Sequence, residues 1–342
     1  MIDYIWNRKR PYVIAEISQN HDGSLGQAHA FIDAVATTGA DAIKFQTHIA
    51  EEESSIYEPF RIKFSYEDNS RYDYWKRMEF TEEQWMGLYE HAVSMGLDFL
   101  SSPFSEKALD ILENIGVPAW KFGAGEVFND KLLNKAINTD KPILLSTGLS
   151  TFTDIEDQLG RIINHGNKYL IFQCVTSYPS TANMIDISQI SLLQERFNCT
   201  VGISDHSATI YPALAATTLG AKAVEVHVTM SPYMFGPDVK ASVSIDQLKQ
   251  IVEGTTFIST MLETKVNLEE RSENKERLKE MFSKSLYAAR DISEGERLTE
   301  DMFKAKKPNI GIDSKNISNI VGMMAKKDIM KGEVVRMEDL GW

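Results

Sequence analysis

Only two cysteines, Cys174 and Cys199, occur in 342 residues, too few for a disulfide framework and consistent with a reducing compartment. Long apolar runs are also missing. No window approaches about 18 uninterrupted apolar residues, and the N-terminus has no apolar stretch of signal-peptide length. Positive charge is scarce: 36 Lys and Arg face 49 Asp and Glu, a formal charge of −13. Nucleic acid and anionic membranes are bound through extended basic surface, so neither is expected as a partner. The expectation is a cytoplasmic protein. An anionic small molecule would need only a few well-placed cations, and the length suffices for a large barrel core with a second domain.

What is present is a recurrence of short β-rich apolar runs: PYVIAEIS (11–18), DAIKFQT (41–47), DFLSSPF (98–104), AWKFGAGE (119–126), PILLSTG (142–148), YLIFQCV (169–175), TVGISDHS (200–207) and AVEVHVT (223–229). Helically spaced segments lie between them, such as LGQAHAFIDAVATTG, with Ala28, Phe31, Ile32 and Val35 on one face and Gly39 as a stop. Eight strands alternating with helices predict the α/β class and a closed (β/α)₈ TIM barrel. An open doubly wound sheet is the competitor.

A barrel carries its active site where strands end and βα loops begin. Those positions hold Glu16, Asn20, Lys44, Gln46, Ser101, Ser102, Lys121, Glu126, Thr176, Tyr178, Ser204, Asp205, His206, Glu225 and His227. A lone strand-end histidine is usually structural, but His206 and His227 close successive runs, and two imidazoles at adjacent strand ends can share one divalent ion. Lys44 and Lys121 sit inside apolar runs, where a charge without a partner is costly. An anion held in the barrel mouth would account for both, and neutralisation by Glu16 and Glu225 is the alternative. Cys174 has no basic neighbour in sequence and reads as core.

At these residues the sequence resembles the sialic acid synthases. IAEISQNHDGSL, IKFQTH, LSSPFS, KFGAGE, ILLSTGLS, SYP, GISDHS and GPD follow the order of that family's motifs over nearly the whole chain. The resemblance implies condensation of phosphoenolpyruvate with an open-chain N-acetylated mannose-type sugar on a TIM barrel, with a divalent metal, Mn²⁺ first and Mg²⁺ or Co²⁺ as alternatives. N-acetylmannosamine is the leading sugar and N-acetylneuraminate the product, with legionaminate or pseudaminate as rivals. On this reading His206 and His227 hold the metal, and Lys44, Lys121, Ser102 and Ser204 receive phosphate and carboxylate. Glu16 and Glu126 are candidates for a general base or for orienting the sugar, and Glu225 and Lys44 join them as catalytic candidates. Thr176, Tyr178, Gln46, Asn69, Asp238 and Lys307 are the remaining substrate contacts. Ala124 stands where the family usually has serine, Thr176 where it has serine or asparagine, and Lys307 where it has arginine. Without phosphoenolpyruvate chemistry, the alternatives are a metal-dependent barrel aldolase or hydrolase and a carbohydrate- or ice-binding protein.

The stretch from Ile49 to Phe80 is the largest insertion. Its Tyr57, Phe60, Phe64, Tyr66, Tyr72, Tyr74 and Trp75 suit either a cover over a sugar ring or a helical packing or dimer surface. The barrel is expected over 1–266. The charged NLEERSENKERLKEMF opens a linker at 267–283 with some helix. Over 284–342 an internal repeat aligns AARDISEGERLTEDM with AKKDIMKGEVVRMEDL, each copy a short strand, a turn at Gly295 or Gly332, and a short helical turn. It resembles the family's small antifreeze-like (SAF, β-clip) domain, which implies a lid exchanged within a domain-swapped homodimer. The apolar content of this domain looks too low for an extensive core.

Overall fold

The computed structural model describes residues 2–267, 269 and 272–342. It divides into two compact units, Met1–Thr264 and Lys265–Trp342. Part of the expected linker, at residues 268, 270 and 271, lies outside the described residues.

In the first unit eight parallel strands form the barrel: β1 (Tyr12–Ser18), β2 (Ala42–Thr47), β3 (Asp98–Pro103), β4 (Trp120–Phe122), β5 (Ile143–Ser146), β6 (Tyr169–Cys174), β7 (Val201–Asp205) and β8 (Ala223–Thr229). Their order is β3-β2-β1-β8-β7-β6-β5-β4. Strand β1 pairs with both β2 and β8, while β3 and β4 lie side by side at the seam. The architecture is a nearly closed TIM-like barrel, so the open sheet is excluded. Helix α1 (Leu25–Ala36) buries Ala28, Phe31, Ile32 and Val35, is capped by Ser24 accepting from the Gln27 N–H, and is followed by Gly39 at φ 78°.

The period of two along each strand explains how the barrel carries charges in its middle. Outward residues such as Val13, Ala15, Ile43 and Phe45 pack against the helices. Inward residues at the N-terminal end are apolar: Tyr12, Ile14, Ala42, Leu100, Ala119, Leu144, Leu170, Phe172 and Ala223 form a plug. Continuing inward by twos, the same strands present Glu16, Lys44 and Gln46, Ser102, Lys121, Ser146, Ser204 and Glu225 with His227. One face of each strand therefore switches from apolar to polar on the way to the loops. Gly202 belongs to the crowded layer: a Cβ there would stand 2.7 Å from the Ala223 carbonyl oxygen and 3.0 Å from the Phe172 ring, so only glycine fits without movement.

The insertion after β2 forms α2 (Ala50–Glu53) and α3 (Arg71–Met78), the latter opened by a Ser70/Asp73 capping box. Ala50, Tyr74, Trp75 and Met78 bury one another with Phe60, Phe64 and Tyr72 packed alongside. Arg77 ties the insertion to the loop after β1, reaching Asp22 and Asp68 at 2.8 Å each. Tyr57 and Tyr66 are exposed.

In the second unit the charged run becomes a helix over Glu273–Phe282. The repeat then folds on itself with matched hydrogen bonds. Ile292 and Ile329 exchange both of theirs, Gly295 N–H reaches Ala325 O as Gly332 N–H reaches Ala288 O, and Ala289 pairs with Met302 as Lys326 does with Asp339. Gly295 and Gly332 adopt φ 78° and 91°, the left-handed turn open to glycine. The expectation of a meagre core is corrected here. Leu286, Ile292, Leu298, Ile320, Val335 and Leu340 are buried together, because each repeat covers the apolar face of the other.

Candidate active site at the barrel mouth

The inner site is built from strand ends. Lys44 Nζ lies 2.5 Å from Glu16 and 3.8 Å from Glu225, and Lys121 Nζ lies 3.4 Å from Glu225, all four side chains being buried. Of the two explanations of the buried lysines, neutralisation by the glutamates is the one these contacts show. Lys44 donates to Ser102 Oγ (3.2 Å), Lys121 to Ser146 Oγ (2.7 Å), and Ser204 Oγ donates to Glu225 (2.9 Å). Ser146 was overlooked from sequence although it ends β5, where the strand-end rule would have found it.

Burial, reinforced by the charge of Glu225, pushes the Glu16 carboxyl up, although Lys44 pulls against it. For Glu225 burial acts in the same sense but Lys121 and Lys44 outweigh it and hold the carboxyl down. Burial opposes the charge on Lys44, but Glu16 and Glu225 outweigh it and hold the ammonium up; on Lys121 burial prevails and lowers it. A buried ammonium with a depressed pKa and a single carboxylate neighbour is poised to gain from an incoming anion.

His206 follows β7 and His227 lies within β8, their ring centroids 5.0 Å apart. Burial pushes both imidazoles down to about 3, the neighbouring His227 adding to the effect on His206 and the Lys44 charge to that on His227. Both are therefore neutral, as ligand imidazoles must be. His206 Nδ1 donates to the Val175 carbonyl (2.9 Å), leaving Nε2 as the lone-pair nitrogen, while His227 Nδ1 is buried with no hydrogen-bond partner. This donor pair fits a divalent cation. Among the described residues no group of three or more His, Cys, Asp or Glu converges as a metal site. The remaining positions around such a cation would fall to water and substrate.

Above this layer opens a cavity of about 610 Å³, within the range of small-molecule sites. Gln46, Glu126, Thr176, Tyr178, His227 and Asp238 all line it. The Tyr178 ring lies 4.1 Å from that of His206. Asp238 accepts from Ser18 Oγ at 2.6 Å. Glu126 is half-buried, its carboxyl pushed up by that burial, and accepts from Asn129 at 3.2 Å. Asn69 is exposed and is not among the lining residues, so its position does not support the contact that the resemblance implies. Lys307 belongs to the second unit, where its ammonium lies 5.2 Å from the centre of the Phe282 ring. Cys174 keeps a thiol pushed up to about 11 by burial, which suits a core residue rather than a nucleophile.

The insertion supplies lining residues that sequence reasoning missed: Glu53 on α2, Arg61 and Arg71. Arg61 stacks over Tyr178 at 4.5 Å and reaches Asp238 at 3.5 Å. Phe60, Phe64, Tyr74 and Trp75 both pack together and line the cavity. The packing reading of the insertion is thus borne out for these rings, which also border the cavity.

A parallel barrel with buried lysines, hydroxyls and a histidine pair at its C-terminal mouth, below a cavity of small-molecule size, has the layout of a barrel enzyme's active site. Comparison with known proteins then identifies it: residues 31–267 match the NeuB family and residues 283–341 the SAF domain, and the chain belongs to the NeuB family. It is 31% identical to the N,N'-diacetyllegionaminic acid synthase of Campylobacter jejuni, over 96% of this chain and 99% of that protein. It is equally 31% identical to the human N-acetylneuraminate-9-phosphate synthase, over 96% and 92%. The crystal structure of the N-acetylneuraminic acid synthetase of Leptospira borgpetersenii superposes with a TM-score of 0.69 at 28% identity, covering 79% of this chain and 91% of that one. The protein is a nonulosonic acid synthase, a transferase that condenses phosphoenolpyruvate with an amino sugar. Among the described residues no helix is long and apolar enough to cross a membrane.

Proposed function

We propose that the inner site binds phosphoenolpyruvate and the outer cavity binds N-acetylmannosamine, giving N-acetylneuraminate and phosphate. The observation that carries this is the buried cluster of Lys44, Lys121, Ser102, Ser146 and Ser204 directly beneath the histidine pair. Phosphate and carboxylate take the two ammonium groups and the hydroxyls, displacing part of the contact with Glu16 and Glu225. His206 and His227 would hold a divalent metal, Mn²⁺ first, which when bound supplies a Lewis acid for the sugar aldehyde. C3 of the enol bonds to the aldehyde carbon, C2 is left electron-deficient, water adds there, and phosphate leaves. Glu16, whose raised carboxyl suits proton transfer near neutrality, or Glu126 takes the proton from that water. Tyr178, Thr176, Gln46 and Asp238 orient the sugar.

The test is phosphate release from phosphoenolpyruvate with Mn²⁺ and a sugar panel: N-acetylmannosamine, its 6-phosphate, and the 2,4-diacetamido trideoxy sugars that lead to legionaminate and pseudaminate. N-acetylmannosamine is expected to give the highest turnover. A diacetamido sugar at the head of the panel would replace the product and keep the reaction, whereas release with none of them would remove the proposed substrates.

The resemblance to the family also supports a cytoplasmic homodimer in which the C-terminal unit acts on the partner's barrel through Lys307. Mixing Lys307→Ala with His206→Ala protein, with subunit exchange verified, should then restore activity above the sum of the two variants alone. Restoration of none would place each lid on its own barrel or remove the role.

A further inference from the structure

The outer cavity contains an acceptor that the proposed mechanism does not use. His48 follows β2, sandwiched between the Trp75 ring (centroids 4.0 Å apart) and the Phe104 ring (4.2 Å). Gln19 Nε2 donates to His48 Nε2 at 2.8 Å and to Gln46 Oε1 at 2.7 Å. The ring hydrogen is thereby placed on Nδ1, which donates to Glu53 Oε1 at 2.5 Å. Gln46 Nε2 in turn donates to Glu16 at 2.8 Å. A continuous chain thus runs from Glu53 on the insertion to the buried Glu16–Lys44 pair. The Glu53 side chain is only 9% exposed and lines the cavity, yet its Oε2 has no hydrogen-bond partner. A buried carboxylate oxygen left without a donor is costly, and a ligand N–H or O–H would satisfy it.

The charges around it bear on which ligand. Glu52, Glu53, Glu58, Glu126 and Asp238 line the cavity against Arg61 and Arg71. Both arginines are already engaged, Arg61 with Asp238 at 3.5 Å and Arg71 with Glu58 at 3.2 Å. A sugar phosphate would bring nearly two further negative charges to this rim, where carboxylates already outnumber the arginines. The hydroxyl and acetamido donors of an uncharged sugar meet acceptors instead.

We infer that Glu53, positioned by His48, is a sugar-binding carboxylate, and that the acidic rim around it admits the sugar only without a phosphate. This rests on the synthase reading above. The synthase is measured by phosphate release with the panel already named, and then as the Glu53→Gln, His48→Phe and His48→Asn variants. An unphosphorylated sugar should exceed N-acetylmannosamine 6-phosphate by at least about a hundredfold in kcat/KM. Glu53→Gln should raise the KM for that sugar at least about tenfold while the KM for phosphoenolpyruvate stays within twofold. His48→Phe keeps the stacking but loses the hydrogen bonds and should raise the same KM, whereas His48→Asn retains a donor and should recover part of the loss. Thermal midpoints near that of the parent establish that the variants fold. Preference for the 6-phosphate, or an unchanged sugar KM in Glu53→Gln, would overturn the inference and leave the synthase reading standing. Phosphate release with no member of the panel would instead overturn both.

Discussion

Lys121→Met is expected to lower kcat/KM for phosphoenolpyruvate by about two to three orders of magnitude, which corresponds to ~3–4 kcal/mol of lost transition-state stabilisation. Methionine keeps the length and apolar stem but removes the charge that faces Glu225 at 3.4 Å and the donor to Ser146. Two effects add. A charge-assisted contact to the anion disappears, and Glu225 is left less neutralised, where it repels phosphate and carboxylate. Breaking a buried pair also costs about 3–5 kcal/mol of stability, so the kinetic change needs a control for folding. In Lys121→Met/Glu225→Gln both charges are gone, and the thermal midpoint should recover toward the parent while catalysis stays impaired. An unchanged kcat/KM in the single variant, measured in folded protein, would remove Lys121 from the phosphoenolpyruvate site.

The double change His206→Ala/His227→Ala is expected to abolish metal-dependent turnover, with kcat below about a thousandth of the parent. Both imidazoles are held neutral by burial, so the site is ready for a cation across the ordinary pH range without losing protons first. Direct binding gives a readout independent of catalysis: Mn²⁺ retained by the parent in equilibrium dialysis should be absent from the variant. Chelation of the parent should reproduce the loss, and added Mn²⁺ should reverse it in the parent alone. Equal Mn²⁺ retention by the two proteins would mean that these histidines are not the ligands.

The eight strand runs were legible because parallel strands buried on both faces read as short apolar runs bounded by turns, and a chain of such βα units closes into few shapes. The histidine pair was legible because His206 and His227 lie toward the C-terminal ends of successive runs and parallel neighbours come into register, with Ser204 opposite Glu225 and Asp205 opposite Val226. Asn69 came from the resemblance alone, within an insertion where no periodicity restricts which side chains turn inward. His48 and Glu53 carry signals too weak to select: one follows a strand end already credited to Gln46, and the other belongs to a run of three glutamates.

By itself the sequence determined the barrel, the repeated C-terminal unit and which residue types stand at the strand ends, because these follow from local periodicity and from the fixed geometry of parallel βα units. Only the tertiary structure decided how the charges pair. Glu16 and Glu225 share Lys44, Glu225 also meets Lys121, and Glu53 reaches back through His48 toward Glu16. Those partners come from different strands and from the insertion, and their distances, which set the strength and even the direction of each electrostatic effect, exist only after the barrel closes.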